Sequence, residues 1–87
     1  MGLGMIARLR HEGKVILERD VPMYTAADIR AHMEKMKLVG AGRRVVIKQG
    51  SEMRLLDQLP PNLSLGLNVE TKSIPGGTIK GLGYEPS

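Results

Sequence analysis

In a chain of 87 residues with no cysteine, chemistry has to come from two histidines, nine carboxylates and the hydroxyls. A zinc site wants three or four nitrogen, sulfur or oxygen ligands together. His11 and His32 fall on different elements and form no i,i+4 pair, so no metal centre is expected. Glu18 and Asp20 share one strand face, roughly 6–7 Å apart by the strand rise. That separation suits acid–base work or a divalent cation, but both need burial or a third ligand that the sequence does not supply. Ser51, Ser64, Ser73 and Ser87 lie in no Gly-x-Ser-x-Gly elbow, and no histidine is placed beside any of them. Gly76-Gly77-Thr78-Ile79-Lys80-Gly81 lacks the order of a phosphate loop, and no helical pattern follows it. The pattern predicts a non-catalytic protein with no cofactor and no small-molecule substrate.

The remaining candidates act by contact. Thirteen Lys and Arg against nine Asp and Glu give a net charge of +4. Arg8, Arg10 and Lys14 gather near one end of the chain, and Arg44 and Lys48 follow on a later strand. Ile6, Ile16 and Val46 fall on the same outer face as these cations. Apolar surface rimmed by charge is the usual look of an interaction site. The expected function is therefore an interaction module that binds a protein partner, a second copy included, through Ile6, Arg8, Arg10, Lys14, Ile16, Arg44, Val46 and Lys48. The alternative is a small basic nucleic-acid-binding accessory or regulatory protein using the hairpin tip. Against it, no aromatic residues interleave with the cations to stack bases.

These residues need elements to hold them. Met5–Arg10 and Lys14–Val21 read as two strands around His11-Glu12-Gly13, hence a hairpin. A two-residue loop would set Arg8 opposite Leu17. A three-residue loop pairs Leu9 with Val15 and Ala7 with Leu17, and gives Gly13 the left-handed position. The three-residue loop is preferred, with Ala7, Leu9, Val15, Leu17 and Val21 on the core face and Arg10 opposite Lys14. Pro22 ends the second strand. Thr25 caps a helix that runs to about Leu38, with Asp28 at N3 and Ala26, Ile29, Met33 and Met36 buried. Arg30 and Glu34 form an i,i+4 pair, and Gly40 is the C′ residue. Arg43–Lys48 is a third strand. Residues 52–59 read as a strand or a helix, with the strand preferred and Met53 and Leu55 opposite Val45 and Ile47. Leu63–Glu70 alternates strictly and is the clearest half-buried strand.

The expected fold is α+β, an antiparallel sheet of four to five strands with one helix on one face, in the order ββαβ(β)β. Residues 1–87 form a single small domain, and 71–87 form a Gly/Pro-rich C-terminal arm or edge segment. The core must do without Phe and Trp and rely on aliphatic residues and six Met. No apolar run approaches the roughly 20 residues of a spanning helix, and no long apolar stretch opens the chain. No membrane contact is expected, and a cytoplasmic protein is.

Overall fold

A computed structural model describes residues 5–40 and 42–75. Its first element is a hairpin of β1 (Ala7–His11) and β2 (Lys14–Arg19). The loop has two residues, not three: His11 pairs with Lys14 and Arg10 with Val15. Glu12 and Gly13 both have positive φ, 52° and 88°, as a type I′ turn demands. The register then shifts between Leu9 and Arg10, so that Leu9 meets Leu17 and Arg8 meets Glu18. One extra residue on β2 returns the strand to the correct face. The bulge removes the objection to the short loop and overturns three expected pairings, Leu9 with Val15, Ala7 with Leu17 and Arg10 with Lys14.

β3 (Tyr24–Thr25) leads into α1 (Ala26–Lys35). Thr25 Oγ1 accepts from the Asp28 amide, and the Asp28 carboxylate accepts from the Thr25 amide. This capping box satisfies two helix-end donors. The helix stops three residues before Leu38. The Lys37 amide bonds the Glu34 carbonyl at 3.0 Å and the Leu38 amide bonds the Met33 carbonyl at 2.8 Å. That is a Schellman motif with Lys37, not Gly40, as its left-handed residue at φ 59°. The early stop leaves Met36 exposed, whereas Ala26, Ile29 and Met33 are buried as expected. Arg30 reaches the Leu59 carbonyl, in place of the expected pair with Glu34.

β4 (Arg43–Gln49) and β5 (Glu52–Leu55) form a second hairpin, with Gly50 at φ 61° in its two-residue turn. Val46 pairs with Leu55 and Lys48 with Met53, one place from the expected register. Residues 52–59 are both things in turn: β5 passes directly into a 3-10 turn, Leu56–Gln58. The segment 63–70 is not one strand. Gly66, at φ 83°, separates β6 (Ser64–Gly66) from β7 (Asn68–Pro75), and β6 turns away to pair with β3.

The main sheet runs β2-β1-β7-β4-β5. It is mixed rather than antiparallel, because β7 lies parallel to β1 and antiparallel to β4. The arm expected from Thr71 thus has residues 71–75 in the centre of the sheet, and 76–87 lie outside the described residues. The fold is α+β with one helix over one face of a five-stranded sheet. Leu9, Val45, Ile47 and Val69 from the sheet pack with Ile29 and Met33 from α1 and with Leu56, Leu59 and Leu65. Tyr24 sits among them fully buried, its hydroxyl donating to the Ala7 carbonyl at 2.9 Å. Among the described residues no helix is long and apolar enough to cross a membrane.

Candidate functional site

Strand alternation places Arg8 and Arg10 of β1, Glu70 and Lys72 of β7, and Lys48 of β4 on the helix-free face. Arg10, Glu70 and Lys48 form one row, since β7 pairs Glu70 with both. Lys72 lies opposite Val46 in the same sheet. Arg8 is held by Glu18 at 2.8 Å. Three of the expected contact residues, Arg8, Arg10 and Lys48, are therefore brought together, on two strands that flank β7.

The other expected contact residues do not join this exposed row. Lys14 pairs with His11 and so faces the opposite side from Arg10. Ile16 is carried inward by the bulge and packs against the main core, while Val15, expected inside, is 45% exposed. Val46 keeps the helix-free face but is fully buried, in a second apolar cluster with Leu55, Ile74 and Met53. Ile6 is exposed. Arg44 makes a two-pronged contact with Asp57 at 2.7 and 2.9 Å, which holds its guanidinium still more firmly protonated. The apolar stripe Ile6–Ile16–Val46 thus does not form, and the basic patch is smaller than expected and moved toward β7.

A second cluster lies on the other side of the sheet, where β1 and β7 run side by side. His11 continues the inward face of Ala7 and Leu9, and Thr71 and Ser73 continue that of Val69. His11 is 9% exposed and Thr71 is fully buried. Thr71 Oγ1 donates to the Arg10 carbonyl at 2.7 Å. A hydroxyl has one proton, so toward His11 Nδ1, 2.8 Å away, the same oxygen accepts. This donor order assigns the proton of a neutral His11 ring to Nδ1. In the neutral ring Nε2 carries the lone pair, and it faces Ser73 Oγ at 2.9 Å. The Glu12 carboxylate accepts from the Ser73 amide at 3.2 Å and lies 3.9 Å from Nε2. The cluster opens on a cleft of about 390 Å³ lined also by Leu38, Arg43 and Pro75.

No family model, curated protein or solved structure matches this chain.

The cluster was not expected from the sequence, which places no histidine beside a serine. His11 and Ser73 are 62 residues apart, and only the parallel pairing of β1 with β7 joins them. His32 is occupied elsewhere. Its Nε2 lies 3.0 Å from the Ile16 carbonyl and ties the helix to the bulge. Glu18 pairs with Arg8, and among the described residues no group of three or more His, Asp or Glu is arranged to hold a metal ion. A smaller cleft of about 230 Å³ carries Arg30, Arg43 and Arg44 over Val45 and Leu56, with Glu34 and Asp57 offsetting part of the charge.

Proposed function

We propose that the protein is an interaction module that binds a protein partner of acidic character through the helix-free face of its sheet. The observation that carries this reading is the row Arg10–Glu70–Lys48, with Arg8 and Lys72 beside it. Four cations there stand against Glu70 and Glu18, and cationic faces steer acidic partners.

The strand edges are poor alternatives. A bulge interrupts β2, and His32 holds its Ile16 carbonyl. β5, at the other edge, has four residues. Bulges and short edge strands are both devices that discourage strand addition. A two-fold contact through the cationic face would set Arg10 and Lys48 against a second set of the same cations. That favours an acidic partner over the second copy expected from the sequence. The same cations suit a nucleic acid, so the test includes one.

Light scattering on a sizing column, at low and high salt, separates the readings. Polyglutamate is expected to bind at low salt, to be displaced at high salt, and to be lost from the double variant Arg10→Glu, Lys48→Glu. An oligonucleotide that binds more tightly, with a steep salt slope, shifts the reading to nucleic acid. A dimer that persists in high salt shifts it to self-association. A monomer that ignores both polymers overturns it.

A further inference from the structure

We propose that Ser73 is a nucleophile activated by His11, and that the cleft beside it is an acyl-transfer site for carboxylic esters. This goes beyond the docking reading and stands on the opposite face of the sheet.

The tautomer of His11 decides which nitrogen can act as a base. Thr71 commits its only hydroxyl proton to the Arg10 carbonyl, so it takes the proton of His11 Nδ1 as an acceptor. That leaves the basic nitrogen of the neutral ring, Nε2, pointed at Ser73 Oγ, within 2.9 Å. A serine, a base in hydrogen-bond reach and a third group orienting the base are the parts that nucleophilic catalysis requires. Glu12, at 3.9 Å from Nε2, faces the positive charge that the ring gains when it takes the serine proton. Arg43 lines the same cleft and is the cation available to a developing oxyanion.

The chemistry balances without a metal or a redox partner. Ser73 Oγ bonds to the ester carbonyl carbon while its proton passes to His11 Nε2 and the carbonyl π pair moves on to oxygen. Collapse of the tetrahedral intermediate breaks the bond to the alcohol, which takes the proton from Nε2. Water then attacks the acyl-Ser73 ester with His11 again as base. The products are a carboxylic acid and an alcohol, and Ser73 is restored.

The test uses the whole chain with two probes, p-nitrophenyl acetate and an alkyl fluorophosphonate. The expected result is a burst of nitrophenolate, one acetyl group on the Ser73 peptide by mass spectrometry, and fluorophosphonate on the same residue. Ser73→Ala removes both labels. His11→Gln slows labelling by about 100-fold or more, the usual contribution of a general base. His11 is buried, so Glu12→Gln serves as the variant that leaves the core untouched. It slows labelling by about fivefold, from an exposed charge near 4 Å. Labelling is read without polyglutamate and polyglutamate binding without the esters, so this proposal and the docking proposal fail separately. Acetyl groups on lysines alone, or Ser73→Ala labelled at the wild-type rate with an unchanged circular dichroism spectrum, overturn the assignment.

Discussion

Thr71→Val tests the buried relay directly. Valine keeps the shape of threonine and removes the hydroxyl. In the native protein that hydroxyl accepts from His11 Nδ1 at 2.8 Å and donates to the Arg10 carbonyl at 2.7 Å, at a position with no solvent exposure. Its loss leaves the Nδ1 proton of a nearly buried ring without an acceptor. An unsatisfied buried donor costs about 1–3 kcal/mol, and the lost bond to the carbonyl about 0.5–1 kcal/mol more. The expected destabilisation is about 2–3 kcal/mol, or a fall of roughly 10–20 °C in Tm for a domain of this size. Thr71→Ser keeps the hydroxyl and loses one methyl group, which costs about 1 kcal/mol. Urea unfolding followed by far-ultraviolet circular dichroism measures both, with the midpoint falling at unchanged slope. Thr71→Val within about 0.5 kcal/mol of wild type, or less damaging than Thr71→Ser, would refute the relay and with it the tautomer assigned to His11.

Two further outcomes follow from the bulge and from the buried tyrosine. Ile16→Asp is expected to unfold the protein or cost about 3 kcal/mol or more, while Val15→Asp stays within about 0.5 kcal/mol in the same assay; the three-residue loop would reverse the two. Burial raises the Tyr24 phenol above its ordinary value of 10.0. Above a pH of about 10 the unfolded chain therefore gives up this proton before the native one does, and stability falls as pH rises further; below that pH the contribution is fully present. Tyr24→Phe removes this alkaline loss and costs about 1 kcal/mol at neutral pH, read from urea midpoints across a pH series.

Local signals are the legible ones. Thr25 and Asp28 announce the capped helix because a capping box is encoded within four residues. Ile29 and Met33 announce its buried face because the helical period is short. The hairpin is legible as a hairpin, but its register is not. Matching side chains to faces distinguishes two loop lengths only if both strands are regular, and a bulge is invisible to a count of alternating residues. The helix end is misplaced for a related reason: Gly40 looks the better left-handed residue, yet the backbone turns at Lys37, where Leu38 can reach the core. Non-local pairing is the least legible. Val69, Thr71 and Ser73 share a strand face whose end turns polar, and so do Ala7, Leu9 and His11. In the sequence, however, His11 reads as part of the hairpin loop and Thr71 as the start of an arm. Only the parallel alignment of the two makes their polar ends one cluster, and nothing in either segment specifies that alignment.

Glu12 and Lys37 are the non-glycine residues with positive φ among the described residues. Both positions favour Gly or Asn, and a larger side chain at either costs about 1 kcal/mol. Lys37 has a local compensation, because its conformation closes the Schellman motif over Met33. The case of Glu12 is different. A type I′ turn needs no carboxylate, and Asn-Gly would form it with less strain. What Glu12 adds lies across the sheet. Its amide donates to the Thr71 carbonyl at 2.9 Å, which any residue other than proline could do, but its carboxylate accepts from the Ser73 amide and faces His11 Nε2. Strained residues concentrate where a side chain is needed at a fixed place. The strain at Glu12 thus falls beside the same cleft that His11 and Ser73 line, on grounds independent of the hydrogen bonds between them. Glu12→Asn should then stabilise the hairpin turn while slowing Ser73 labelling, a pairing of effects that a purely structural glutamate would not give.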